Sequence, residues 1–296
     1  MSQSGVRRMS AHSGLDALVE EIADLRPLPA VAALVLQIAE GERFSAHELA
    51  QAISSDPALT ARVLRLANSA YYGFPRQITT VRDAVVILGF RQVRAAALTT
   101  CAIQALYPDE ALDARAFWQH AVTVGMLTEM LARSAQQHQD EAFTAGVLHN
   151  IGRLALVQTL PSAFEDARRL AARSRIPLHQ AQQALLGYTD AEVGGALALH
   201  WQFPAHLSIA IASHPRPADD LPESQTLARM VSRARALAAG HGVTDGVETP
   251  RPVAWPPDRC GSAAPEADLP MLALGGGFPT LLHRASTFVE HTAALP

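Results

Sequence analysis

The chain has 296 residues, 49% apolar and 18% charged, with a formal net charge of −4. That is enough for one large domain or two small ones with a sizeable core, and it leaves no basic footprint for nucleic acid. Cys101 and Cys260 stand far apart with no redox or metal-type spacing, which fits a reducing, cytoplasmic setting. The polar start MSQSGVRRMSAHSG lacks the apolar run of a signal peptide. No uninterrupted run of about 18 apolar residues predicts a membrane span.

In chain order the signals are helical throughout, because Ala and Leu dominate and period-two alternation is scarce. A first helix is predicted from Leu15 to Asp24, and a second follows Pro27 and Pro29 to about Ala39. Ser45 with Glu48 reads as a capping box for a short helix through Ile53. Asp56 caps the next, with Pro57 in its first turn. There Leu59, Val63, Leu66 and Ala70 share a face away from Arg62, Arg65 and Ser69. Thr80 with Asp83 reads as another capping box, opening a helix striped by Val81, Val85 and Leu88. Gly89 breaks it, and a core helix runs from Arg91 to Leu106.

Residues 105–113 read as a boundary. Beyond it, helices are predicted at Phe117–Ser134, Ala142–Leu156, Ser162–Arg173 with Ser162 and Glu165 capping, and Leu178–Leu186. Thr189 with Glu192 caps a further helix toward Trp201, Pro204 opens one ending near His214, and a last covers Ser224–Ala239. Eight of the nineteen prolines lie from Pro250 to Pro296, and Gly275 to Gly277 form a triplet with no phosphate-loop lysine after it. Residues 240–296 therefore read as a mostly irregular tail, with room for a short helix from Thr280 to Thr292.

Two sets of segments carry more than helicity. One is ELAQAISSDPALTARVLRLANSAYYG with ITTVRDAVVILGFRQVRAAAL. The other is FWQHAVTVGMLTEMLA, EAFTAGVLHNIGRLAL and TDAEVGGALALHWQFPAHLSIAIASHP. In this order they resemble the HDOD family, a signalling branch related to the HD and HD-GYP metal phosphohydrolases, over Leu25 to Ala239. The resemblance implies an all-α fold, with an N-terminal helical subdomain (14–108) packed on a degenerate HD-like subdomain (109–239), after a flexible N-terminus at 1–13. It also implies a role in bacterial signal transduction.

An HD hydrolase holds one or two divalent metals with histidines and aspartates from several helices, and the metal activates water. The resemblance places His120 at the first histidine, His149 and Asn150 at the His-Asp pair, and Asp190 at a later histidine. His214 and Pro215 fall at a His-His pair. The final aspartate, expected in the helix after Ser224, finds Arg229, Arg233 and Arg235 instead. Asn150 offers a neutral amide where a bridge needs a carboxylate, and Pro215 has no side-chain ligand. The expectation is a non-catalytic regulatory module with no metal or other cofactor. It would bind signalling proteins of a two-component or cyclic-dinucleotide pathway, without nucleic acid or membrane.

Two alternatives stay open: a phosphohydrolase using His120, His149, Asp190 and His214 as ligands, and a nucleotide-sensing pocket in which Arg233 and Arg235 pair with phosphate. Plainer readings also apply. His120 and His149 suit hydrogen-bonded core positions, Asp190 suits a helix first turn, and His214 suits the last carbonyls of its helix. Asn68, Ser69, Tyr71 and Tyr72 are either a helix end packed on the second subdomain or a partner-contact surface. Trp118 and Trp201 read as core.

Overall fold

The computed structural model describes residues 14–24, 29–40, 46–68, 77–105, 112–247 and 276–292, and among them every regular element is a helix. The N-terminal subdomain contains α1 (14–24), α2 (Ala30–Glu40), α3 (Ala46–Ser54), α4 (Pro57–Ala67), α5 (Val81–Leu88) and α6 (Phe90–Ala105). The HD-like subdomain contains α7 (Ala114–Ser134), α8 (Gln139–Leu148), α9 (Ile151–Thr159), α10 (Pro161–Ser174), α11 (Leu178–Leu186), α12 (Asp190–His200), α13 (Ala205–Ser213) and α14 (Thr226–Gly240). A last helix, α15 (Gly277–Thr292), packs on both α7 and α4. None of these helices is long and apolar enough to cross a membrane.

Local chemistry explains most starts. Asp56 Oδ1 accepts from the backbone N–H of Ala58 and Leu59 at 2.8 and 3.0 Å, opening α4. Thr80 Oγ1 accepts from Asp83 N at 3.0 Å, but the Asp83 carboxylate returns to the Thr80 hydroxyl, so only half of the expected box forms. At Thr189 both halves are present, with Glu192 N to Thr189 Oγ1 at 3.1 Å and Thr189 N to Glu192 Oε2 at 2.8 Å. Ser162 does not cap α10. That helix starts one residue earlier on Pro161, and Glu165 turns to Arg168 at 2.7 Å. Ser45 lies outside the described residues.

The long helix α7 organises the second subdomain. Fourteen of its residues are buried, from Phe117 to Ala132, because α8, α14 and α15 all pack against it. Two glycine pairs set how closely helices approach. A Cβ on Gly146 of α8 would lie 2.6 Å from Gly125 Cα of α7. A Cβ on Gly152 of α9 would collide with the Asp190 carbonyl and the Gly194 backbone of α12. Backbone-to-backbone contact at these crossings brings α8, α9 and α12 together, and the polar cluster forms there.

At the other end of the chain, Asn68 closes α4. Its amide donates to Leu64 O and Ile78 O at 2.8 and 2.7 Å and accepts from Ile78 N at 2.6 Å, clasping the run that leads into α5. Ser69, Tyr71 and Tyr72 lie outside the described residues.

Candidate functional site

His149 and Asn150 occupy a break in what the apolar pattern predicts as one helix over Ala142–Leu156. The chain runs α8, a turn at His149 and Asn150, then α9. The His149 ring reaches back along α8, its Nδ1–H donating to Gly146 O at 2.6 Å, and Asn150 leaves helical geometry at φ −99°, ψ 11°. A side chain that binds the preceding turn competes with the next backbone bond, so the helix stops and restarts. His120 comes from α7, Asp190 from the first turn of α12, and His214 from the end of α13.

The three histidines cluster, with His149 against both of the others. The His120 and His149 ring centroids are 5.3 Å apart, and those of His149 and His214 are 4.9 Å apart with the planes at 84°. Each ring uses Nδ1 on a backbone carbonyl: Val243 O at 3.2 Å for His120, Gly146 O for His149, and Ile211 O at 2.8 Å for His214. A carbonyl only accepts, so each Nδ1 carries the proton and each neutral ring presents a lone pair at Nε2. His149 Nε2 and His214 Nε2 are buried without a hydrogen-bond partner. Burial pushes all three rings below the ordinary histidine value. Mutual repulsion among the rings adds to this at His149, and the Arg235 guanidinium adds at His214.

Beside these rings lies a charged cluster that the sequence patterns did not identify. Arg153, 3% exposed, sits one turn past Asn150. Its Nε donates to Asp190 Oδ2 at 2.6 Å and its Nη1 donates to Asp245 Oδ2. Asn150 Nδ2 also donates to Asp245 Oδ2, at 3.2 Å. Gln182 Oε1 accepts from the Asp190 backbone N–H at 3.0 Å, fixing the start of α12. Asp190 Oδ1 and Asn150 Oδ1 are buried without partners.

Asp245 corrects an expectation. The helix after Ser224 holds no acid, yet the segment just beyond it, once assigned to the irregular tail, folds back over the site. There Val243 O meets His120 and the buried Asp245 meets Arg153. Of the arginines expected to face inward, Arg235 is half-buried and acts electrostatically on all three rings, whereas Arg233 is exposed. Arg153 had one legible signal, a single charge inside the apolar run IGRLALV, where a buried cation requires a carboxylate partner. Asp245 had none.

An all-helical body with a histidine-rich crossing of this kind matches one family model, the HDOD domain, over residues 25–217. The chain belongs to the HDOD family. Arg235, Val243 and Asp245 lie beyond the matched stretch, so the HDOD site is completed here by the chain that follows it.

The structure is similar to a protein from Shewanella amazonensis SB2B described as a phosphohydrolase, at 28% identity and TM-score 0.71, covering 94% of this chain and 98% of that one. It is similar to an HDOD domain protein of unknown function from Geobacter sulfurreducens, at 23% identity and TM-score 0.74, covering 93% and 97%. A protein from Marinobacter aquaeolei VT8 described as a signal transduction protein shares 25% identity at TM-score 0.70, covering 96% of this chain and 65% of that one. A curated relative from Treponema pallidum (strain Nichols) is 24% identical over 199 residues, 67% of this chain and 39% of that protein's length.

The residues of this HDOD site do not fit the metal centre of an HD hydrolase. Among the described residues, no group of three or more His, Cys, Asp or Glu side chains is arranged to hold a metal ion. Asp190, His120, His149 and His214 do not form a common ligand set. Asp190 is turned to Arg153, which lies between it and Asp245.

Proposed function

We propose that this protein is a non-catalytic signal-transduction module, acting by binding other signalling proteins on the scaffold of a metal phosphohydrolase. The observation that carries this reading is the Arg153 guanidinium between Asp190 and Asp245. Both carboxylates that a divalent metal would need are engaged by a fixed internal cation. Arg153 and Arg235 balance the charge of Asp190 and Asp245, so a further divalent ion would find no net negative charge to bind. Asn150 at the position of the paired aspartate removes the remaining anionic bridge. Without a metal, the site has no activated water and no Lewis acid for phosphoryl oxygen.

The partners we propose are components of a two-component or cyclic-dinucleotide pathway. The likeness to the Marinobacter protein described as a signal transduction protein supports that class. A second reading, a metal-dependent phosphohydrolase with an unusual ligand set, has one observation in its favour, the unpartnered Nε2 atoms of His149 and His214.

The experiment is a hydrolysis assay of the full chain with Mg²⁺, Mn²⁺ or Zn²⁺ against an aryl phosphodiester and cyclic dinucleotides. The proposal predicts no rate above the metal-containing buffer. Turnover on the order of 1 s⁻¹ or faster, the ordinary enzyme range, would overturn it in favour of the hydrolase.

A further inference from the structure

Arg153 is tied on two sides by acids from distant parts of the chain, 37 and 92 residues away. Its own exposure is 3%, and the side chains of Asp190 and Asp245 are 2% and 4% exposed. Two carboxylates buried this deeply cannot both stay ionised without a cation between them. Around them lie buried acceptors with no donor: Asp190 Oδ1, Asn150 Oδ1, and the Nε2 lone pairs of His149 and His214. The crossing is therefore rich in acceptors, with Arg153 the cation that bonds both acids and half-buried Arg235 adding positive charge nearby.

We propose that Arg153 is a resident substitute for a divalent cation, and that cutting it back converts the Asp190–Asp245 pair, with the imidazoles beside it, into a Mn²⁺ site. This rests on the reading of the native site as metal-free. Carboxylate and imidazole are a ligand set that suits Mn²⁺. In Arg153→Ala the space of the guanidinium opens between the same two acids. The site then carries one more unit of negative charge between those two acids, which favours a bound cation.

The test is Mn²⁺ titration of the full chain, read by the loss of the free-ion electron paramagnetic resonance signal and by thermal melting. Wild type, Arg153→Ala and Arg153→Ala/Asp190→Asn are compared. The expected result is no tight site in wild type and one saturable site in Arg153→Ala, weakened by about tenfold or more in the double variant. The melting temperature of Arg153→Ala alone should rise with Mn²⁺. If Arg153→Ala does not fold by itself, Mn²⁺ should restore its helical circular dichroism, and failure to restore it overturns the proposal.

A neutralised control, Arg153→Met/Asp190→Asn/Asp245→Asn, should fold without Mn²⁺ and ignore it. A melting temperature no higher than that of Arg153→Met would show that charge compensation is not what Arg153 supplies. Stoichiometric Mn²⁺ in wild type would overturn this proposal and the metal-free reading together. An empty wild type with an empty, folded Arg153→Ala would overturn this proposal alone.

Discussion

The polar crossing of the HD-like subdomain has two halves that solve one problem differently. The histidine trio stays buried by remaining neutral: each ring places Nδ1–H on a carbonyl, and desolvation keeps a second proton away. The acid pair stays buried by remaining charged, with Arg153 as the fixed counterion. A neutral group can be left partly unpartnered at modest cost, whereas a buried charge cannot. The two halves should therefore respond differently to mutation and to pH.

The sharpest disturbance removes both halves at once. Gly152→Ala drives a methyl group into the Asp190 carbonyl and the Gly194 backbone, and neither can yield without moving α12. We expect a loss above about 4 kcal/mol, seen as insoluble protein or a missing cooperative melt. A normal melting curve would mean that α9 and α12 are not in backbone contact.

Next in size is the charged half alone. Arg153→Met leaves two buried carboxylates without their cation and should cost about 3–5 kcal/mol, a fall in melting temperature on the order of 10 °C. A change under about 1 kcal/mol in urea titrations would mean that these ion pairs do not form in solution.

The neutral half should appear in pH dependence. His149 and His214 have folded values well below the ordinary 6.5, so below pH 6.5 the unfolded chain binds protons that the folded chain refuses. Stability is fully present above that pH and falls as the pH drops toward the lowered folded values. Each ring contributes a slope of about 1.4 kcal/mol per pH unit. Urea midpoints between pH 7 and 5 measure it. His214→Gln should flatten the slope by about a third to a half, since His120 is lowered as well, and an unchanged slope would remove the histidines as its source.

Smallest is the cap that positions Asp190. Thr189→Ala should cost about 1 kcal/mol, measurable as a shifted denaturant midpoint with unchanged steepness.

Much of the scaffold could be read from single residues, and the site less so. The Thr189–Glu192 box and the Pro204 boundary follow from local chemistry, and local chemistry is visible in a linear string. The break at His149–Asn150 was not, because it depends on a ring turning back to Gly146 inside a run whose apolar pattern is continuous. His120, His149, Asn150, Asp190 and His214 were marked by resemblance. Arg153 joins Asp190 to Asp245, and Asp245 accepts from Asn150, 95 residues away, from outside any periodic segment. Pairing across such a distance leaves no spacing to detect.

We propose that a guanidinium stands where a metal would otherwise act. Elemental analysis of purified, untagged wild-type protein, with His149→Ala as control, tests it most directly. The account predicts substoichiometric metal in both proteins. About one equivalent of a divalent transition metal in wild type, lost in His149→Ala, would contradict it and return the site to the hydrolases.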